Sequence, residues 1–349
     1  MEKTSSSESV PVFVGLDYHT KGIQVCVVDA SGKVLRNKRT GNSVLEAGEM
    51  IEPGWSVQRA AMESCCGAAD LAEAIAEQLR WPISLAHPGY VNRMKHNPDK
   101  TDYADARMLA ELARVGMIPP VWLAPEPIRE LRLLVRLRAD LVGRVRAVKT
   151  RVLSVLRLQR VAEPDKKDGG GRWRGKWLKW LESEGAGVSE QGRYVLRMHM
   201  EELGELAARI KEVEARLREL TAGDAVVKRL LAIKGVGEVT AWTMRAIIGR
   251  FDRFATGKQL ARFCGVTPRN ASSGERVADA GLIKSGDRLL KSVLVEAAHR
   301  LRRYEPRWES LGKKLKERGK ASSLVIAAIA NRWVRSLHHQ MTEETITAA

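Results

Sequence analysis

The segment Pro11-Val-Phe-Val-Gly-Leu-Asp17 is an apolar run that ends in a carboxylate. A second run, Ser56-Val-Gln-Arg-Ala-Ala-Met-Glu63, ends in the same way. Further along, Lys100-Thr-Asp102-Tyr-Ala-Asp105 opens a helical pattern, and its two aspartates are three positions apart, so both project from one helix face. Carboxylates at strand ends and on one helix face can converge on a divalent cation, because acids held close together need a counter-charge.

The composition predicts a polyanionic partner. The chain has 349 residues and contains 59 Lys and Arg against 42 Asp and Glu, a formal charge of +17. Such an excess indicates DNA or RNA, although a basic protein without a nucleic-acid partner is the alternative. No apolar stretch reaches the roughly 18 residues of a membrane span, and the N-terminus lacks the apolar core of a signal peptide. The four cysteines have no zinc-site spacing and no disulfide framework, so we expect reduced thiols in a cytoplasmic protein.

Residues 11–120 are expected to form a mixed α/β domain after a flexible tail at residues 1–10. Strands are predicted at both sides of the turn Tyr18-His-Thr-Lys-Gly22 within residues 11–29, and at 33–36, 56–62 and 82–86. Helices are predicted at 42–51, at 67–80 and, capped by Thr101, from Asp102 to Val115. Three strands followed by alternating helix and strand match the ribonuclease-H-like layout, in which metal carboxylates cluster at strand ends and on the last helix.

Residues 121–221 are expected to form a coiled coil with a basic and aromatic insert. Apolar residues recur every three or four positions from Ile128 to Gln159 and again from Tyr194 to Leu220, which predicts an antiparallel or an intermolecular pair of helices. The first helix carries far more basic than acidic residues, which favours a face that tracks phosphates over one that is merely solvated. The expected nucleic-acid-binding residues on it are Arg132, Arg136, Arg144, Lys149 and Arg151.

The insert Arg172-Trp-Arg-Gly-Lys-Trp-Leu-Lys-Trp180 interleaves aromatic and cationic side chains. Such a segment can stack bases on its rings while its cations hold phosphates, and the candidates are Arg172, Trp173 and Lys176. A short amphipathic helix docked by its tryptophans is the alternative, and the sequence leaves both open.

Residues 222–349 are expected to form a helical domain. Its segment Ile233-Lys-Gly235-Val-Gly237 resembles the turn of a helix-hairpin-helix, whose backbone N–H groups hold a DNA phosphate without reading sequence. A plain connection between two helices uses the same pattern. The remainder is predicted to be helical, with Ser322-Ser323 capping the final helix.

The segment Asn270-Ala-Ser-Ser273-Gly274-Glu-Arg276 is a second candidate centre. A serine beside glycine is usually a turn residue or a helix cap, but Arg269, Arg276 and Lys284 could surround a phosphate here. A serine hydroxyl is a weak nucleophile until a base or a metal activates it. No histidine lies close in sequence, so we expect activation from the metal site.

These motifs together resemble the DEDD-type transposases of the IS110 insertion-sequence family, known as bridge-RNA-guided recombinases. The matching segments run from about residue 11 to about residue 335: Gly15-Leu-Asp17, Met62-Glu63, Lys100-Thr-Asp102-x-x-Asp105-Ala-Arg-Met-Leu-Ala, Ile233-x-Gly-Val-Gly237, Phe263-x-Gly-Val-Thr-Pro268, Ser273-Gly274 and Ile283-Lys284-x-Gly286.

The resemblance implies a RuvC-like, that is RNase-H-like, N-terminal domain, a coiled-coil middle and a helical C-terminal domain that carries the nucleophile. It implies that Asp17, Glu63, Asp102 and Asp105 bind Mg²⁺ and that Ser273 attacks DNA to form a covalent phosphoserine link. It also implies a structured guide (bridge) RNA that pairs with donor and target DNA, and a tetramer whose subunits share active centres. The implied location is the bacterial cytoplasm, in association with the nucleoid.

Two departures from the family pattern lie near the acids. Ser64-Cys-Cys-Gly67 stands where the family often has Ala-Thr-Gly after the glutamate, and His87-Pro88 stands where it often has Asn-Pro. Ser272 directly precedes Ser273, and the motif favours Ser273. Two other functions stay open: a metal-dependent nuclease or Holliday-junction resolvase that uses water as nucleophile, and a nucleic-acid-binding scaffold whose acids are only solvated charges.

Overall fold

The computed structural model describes residues 9–94, 101–164, 171–183, 187–270 and 279–347. The chain divides into two compact units, Met1–Pro125 and Glu126–Ala349. The second unit therefore contains both the expected coiled-coil middle and the expected C-terminal domain.

The first unit is built on a six-stranded sheet. Its strands are β1 (Val10–His19), β2 (Gly22–Asp29), β3 (Val34–Thr40), β4 (Trp55–Glu63), β5 (Ile83–Ala86) and β6 (Pro120–Val121). They are ordered β3-β2-β1-β4-β5-β6 across the sheet. β1 is antiparallel to β2 and parallel to β4, β4 is parallel to β5, and β5 is antiparallel to β6. The central position of β1 explains why its apolar run is buried.

Helices cover both faces of this sheet. They are α1 (Val44–Gly48), α2 (Ala68–Gln78), α3 (Pro88–Met94) and α4 (Asp102–Val115). Successive strand residues point to opposite faces. Accordingly Val14 and Leu16 pack in one core cluster with Ile75 of α2, whereas Phe13 packs in another with Leu109 of α4. Both faces of β1 are thus fixed against a helix.

The mixed α/β class predicted for this region is confirmed, and α4 has the predicted bounds. The predicted turn is present but shorter than Tyr18–Gly22, because the pairing of β1 with β2 continues to His19 and Gly22 and leaves two residues for the connection. Two short elements, α3 and β6, were not predicted, since seven and two residues are too few for a clear period.

Two long antiparallel helices open the second unit. α5 (Glu126–Leu158) and α7 (Glu190–Thr221) flank the short helix α6 (Gly175–Glu182). Arg138 in the first half of α5 pairs with Glu214 in the second half of α7 at 2.7 Å, and Gln159 just after α5 donates to the Ser189 cap of α7 at 2.9 Å. Of the two predicted pairings, the antiparallel one within a single chain is therefore present.

The rest of this unit is mostly helical. It comprises α8 (Ala225–Leu231), α9 (Glu238–Ile248), α10 (Gly257–Phe263), α11 (Arg288–Tyr304), α12 (Pro306–Glu317) and α13 (Ser322–Thr347), around a core that includes Trp242 and Leu294. The expectation of helix throughout was wrong at one place, where β7 (Pro268–Asn270) pairs with β8 (Asp279–Leu282). Within the described ranges, no helix has the length and apolar character needed to cross a membrane.

Candidate active site

Two of the predicted acids lie at the ends of neighbouring strands, on the same side of the sheet. β1 and β4 run parallel, and Leu16 pairs with Met62 at the end of their register. Asp17 and Glu63 are the next residues on the two strands. Because parallel strands end on the same side, the sheet places these two residues at the same edge.

The helix α4 lies directly on the strand that carries Asp17. A Cβ atom at Gly15 would overlap the backbone carbonyl of Ala106 and the backbone amide of Ala110. Glycine therefore allows a close approach that any larger residue would prevent. This crossing places the first turn of α4 beside the end of β1.

That first turn supplies the other two predicted acids. The Thr101 hydroxyl accepts a hydrogen bond from the Ala104 N–H at 3.2 Å, which caps α4 as predicted and starts it at Asp102. Asp105 lies one turn further on and is 8% exposed. Both carboxylates also lie at the positive end of the helix dipole.

A histidine that was predicted to lie in a turn sits between two of these acids. Because β1 extends to His19, the side chains of Asp17 and His19 share one face of the strand. Nε2 of His19 lies 3.2 Å from Oδ2 of Asp17 and 3.3 Å from Oδ1 of Asp102. One ligand atom from each of the three residues lies within 4.8 Å of the others, close enough to hold one metal ion.

Strand β3 fixes Asp102 from the opposite side. Arg39 Nη1 lies 3.6 Å from Oδ2 of Asp102, so the two oxygens of this carboxylate face different partners. The Asn37 side-chain amide donates to the Tyr103 carbonyl at 3.1 Å and ties β3 to the start of α4. The position of Asp102 is thus set by two elements that are distant in sequence.

The electrostatics show a surplus of negative charge. Burial raises the pKa of Asp17; the charge and hydrogen bond of His19 act against this rise, and the carboxylates of Asp105 and Asp102 add to it. An acid whose pKa is raised by its neighbours gains from a nearby cation. Carboxylate oxygens with one imidazole nitrogen are donors that divalent cations accept, so these residues fit a metal ion.

The carboxylates of Glu63 and Asp17 affect the pKa of the Cys65 thiol, which lies in the loop after β4. Burial raises the pKa of Cys65, and the negative charges of Glu63 and Asp17 raise it further. Gly67 ends this loop with φ of +89°, a backbone conformation that favours glycine, and the Tyr18 hydroxyl lies close to it. The departure Ser64-Cys-Cys-Gly67 therefore keeps the glycine that the turn requires.

The serine motif falls outside the described residues. Ser272, Ser273, Gly274 and Arg276 belong to residues 271–278, which connect β7 to β8 along the chain. The described residues on either side include Arg269 and Lys284, and both are exposed. The approach of Ser273 to the acids stays a prediction.

The basic residues of α5 differ in what they can offer a ligand. Arg132 donates from Nε to the Ala246 carbonyl at 2.6 Å, and burial lowers its pKa, so its guanidinium is engaged inside the unit. Arg136 and Arg144 keep 66% and 60% of their side chains exposed, although Arg136 lies 3.9 Å from Asp287 and Arg144 pairs with Asp140 at 2.8 Å. Arg151 is exposed as well.

The aromatic insert packs into a small core with the end of α5 and the start of α7. Trp177 is 1% exposed, and its indole N–H donates to Glu163 at 3.2 Å. Glu163 also accepts two hydrogen bonds from Arg172 at 2.7 Å. Trp173 is half-buried against Trp177, with the Lys149 ammonium 4.9 Å from its ring centre, whereas Lys176 is exposed. For Trp177 the docked-helix alternative describes the structure.

The glycine turn of the second unit connects α8 and α9 as predicted. Gly235 has φ of +91°, and Gly237 is the N-terminal cap residue of α9. The left-handed backbone at Gly235 explains the first glycine of the pattern. Binding of a phosphate at this turn stays a prediction.

Two family models match the chain, one over the acidic motifs and the other over the glycine and serine motifs. Residues 14–159 match a family model of DEDD-type IS110 transposases, and residues 227–313 match the model described as the transposase IS116/IS110/IS902 family. The first match contains all four acids, and the second contains the glycine turn and the serine motif.

Relatives extend this similarity along the chain. The transposase for insertion sequence element IS1328 of Yersinia enterocolitica is 27% identical over 343 residues, 95% of this chain and 97% of its own. The transposase for IS1111A of Coxiella burnetii is 26% identical over 293 residues, 83% of this chain and 78% of its own. Alignments with relatives from Sinorhizobium fredii and Pseudomonas aeruginosa cover 52% and 46% of those proteins, so the chain spans about half of their length. These matches, together with the acids that they contain, show that the chain belongs to the IS110 family of transposases.

Proposed function

We propose that this protein is the transposase of an insertion sequence and that it cleaves and rejoins DNA to excise and insert its element. The observation that carries the proposal is the meeting of Asp17 from β1 and Asp102 from α4 at one histidine nitrogen. The net charge of +17 and the membership of the IS110 family support DNA as the substrate.

The proposed cofactor is Mg²⁺, held by Asp17, Glu63, Asp102 and Asp105. A bound divalent cation neutralises phosphate charge and stabilises the oxygen that leaves during strand cleavage. Asp17 and Glu63 hold their carboxylates at the ends of parallel strands, while Asp102 and Asp105 present theirs from the first turn of a helix. The strand order β3-β2-β1-β4-β5 with an antiparallel β2 supports an RNase-H-like, RuvC-like domain.

The proposed nucleophile is Ser273. Its Oγ forms a bond to phosphorus while a backbone phosphorus–oxygen bond of the DNA breaks, and in net terms the hydroxyl proton passes to the leaving deoxyribose oxygen. Attack by a deoxyribose hydroxyl of another strand reverses the step and rejoins the DNA. The exposed cations Arg269 and Lys284 beside the serine segment support phosphate binding there.

The proposed partners are a structured RNA and further copies of this chain. We propose that a structured bridge RNA pairs with donor and target DNA, and that a homotetramer shares its active centres between subunits. Arg136, Arg144 and Arg151 project from α5 and offer a row of positive charge to a phosphate backbone. Sequencing the RNA that co-purifies with the protein, and measuring the mass of the complex, test these two statements.

A metal-dependent nuclease or junction resolvase is the second candidate, because the acidic cluster could activate water without Ser273. Denaturing gels of protein incubated with labelled DNA separate the two. The leading proposal predicts labelled protein for the wild type and none for Ser273→Ala, which should also lose recombination. Cleavage by Ser273→Ala at the wild-type rate, with no labelled protein in either sample, would establish the nuclease instead.

A further inference from the structure

We infer that His19 is itself a ligand of the divalent cation, and that its nitrogen shifts the preference of the site from Mg²⁺ toward Mn²⁺. This inference rests on the proposed metal site and adds to it a residue outside the four acids. It follows from where β1 ends, because only a strand that continues two residues beyond Asp17 brings His19 to the same face.

The distances suit a shared ion. In octahedral coordination with bonds of 2.0–2.1 Å, neighbouring ligand atoms are about 3 Å apart. His19 Nε2 is 3.2 Å from Oδ2 of Asp17 and 3.3 Å from Oδ1 of Asp102, so the nitrogen lies at the distance of a neighbouring ligand from one oxygen of each carboxylate. The two carboxylates come from β1 and α4, so Nε2 lies where these two elements meet.

The surroundings leave room for substrate. The side chain of Asp17 is 15% exposed, whereas those of His19 and Asp102 are 46% and 42% exposed. The cluster is therefore anchored on the sheet at Asp17 and open toward solvent at His19. Arg39 holds the second oxygen of Asp102 from outside, the kind of supporting contact that orients a ligating carboxylate.

The nitrogen changes which ion binds best. Mg²⁺ strongly prefers oxygen ligands, while first-row transition ions gain more from imidazole. Replacing one of several oxygen donors by Nε2 therefore favours Mn²⁺ relative to Mg²⁺. A site made from Asp17, Glu63, Asp102 and Asp105 alone would have a weaker preference for Mn²⁺.

Spectroscopy of the full-length protein loaded with Mn²⁺ tests the ligand directly. Electron spin-echo measurements detect a nitrogen nucleus bonded to Mn²⁺, and we expect this signal in the wild type and its loss in His19→Ala. His199→Ala is the matched control, because that imidazole pairs with Glu202 on α7 at 3.5 Å, and the signal should persist in it. A wild-type protein that binds Mn²⁺ without the nitrogen signal overturns the inference.

Calorimetric titration with Mn²⁺ and Mg²⁺ supplies the second readout. His19→Ala should weaken Mn²⁺ binding by about tenfold or more and Mg²⁺ binding by less, whereas His19→Asp should keep Mg²⁺ binding and reduce the preference for Mn²⁺. Equal losses for both ions in His19→Ala would contradict the inference and leave the proposed acidic site intact. Failure of the wild type to bind either ion, or unchanged binding in Asp17→Asn, would instead contradict the proposed metal site and the inference with it.

Discussion

Replacing Gly15 by alanine tests how the active site is assembled. The added methyl group would occupy the same space as the Ala106 carbonyl and the Ala110 amide of α4, and it would lie 3.0 Å from the carbonyl carbon of Leu109. These are main-chain atoms of a helix, so no side-chain rotation relieves the overlap. Either β1 or α4 must move, and Asp17 then separates from Asp102 and Asp105.

The expected cost lies at the upper end of the range for overpacked cores, about 3 kcal/mol. For a chain of 349 residues this corresponds to a fall in Tm of roughly 4 °C. We also expect Mn²⁺ affinity to fall about tenfold or more, because ligands on α4 and β1 no longer meet at one point. Differential scanning calorimetry and Mn²⁺ titration of the same preparation measure the two effects.

Gly143→Ala is the matched control. Gly143 lies within α5 with nothing within 4 Å of the added methyl group, so alanine there should leave Mn²⁺ binding unchanged and stabilise the helix by up to about 1 kcal/mol. A Gly15→Ala protein with the Tm and the Mn²⁺ affinity of the wild type would refute the account of how α4 positions its acids.

Substitutions at Asp17, at two cations of α5 and at the Asp224 cap should each have a measurable effect. Asp17→Asn should raise the Tm of the metal-free protein at neutral pH, because the pKa of Asp17 is higher in the folded than in the unfolded protein. This gain in stability is complete at pH values above the folded pKa. It disappears as the pH falls from the folded pKa to the unfolded pKa. Arg136→Ala combined with Arg151→Ala should weaken nucleic-acid binding and reduce the slope of log affinity against log salt by up to about 2, as filter binding at several salt concentrations would show. Asp224→Ala should destabilise the protein by about 3 kcal/mol in denaturant titrations, because Asp224 caps α8 and pairs with Arg245 at 2.6 Å.

The elements with a clear period were predictable from sequence. α4 has an N-cap residue, an amphipathic repeat and the C-terminal glycine Gly116, so both of its ends could be located. The two long helices of the second unit were found from their apolar repeats, but their ends and their antiparallel pairing depend on contacts such as Arg138 with Glu214. Sequence periodicity alone does not distinguish pairing within a chain from pairing between chains.

The composition of the candidate site was harder to predict. The acids were visible because each follows an apolar run or a cap, whereas His19 was assigned to a turn of polar residues. The one available signal was its spacing of two from Asp17, which matters only if β1 continues to that point. The engagement of Arg132 by the Ala246 carbonyl joins residues 114 positions apart, and no local pattern reveals such a contact.

Mapping the site of the DNA–protein link tests the central claim most directly. Protein incubated with Mg²⁺ or Mn²⁺ and its element's DNA would be digested with protease and nuclease, and the modified peptide identified by mass spectrometry. We predict a nucleotide phosphate on Ser273 in the wild type and no modified peptide for Asp102→Asn. A link on another residue, or the same yield from Asp102→Asn, would contradict the joint action of the acidic cluster and the serine.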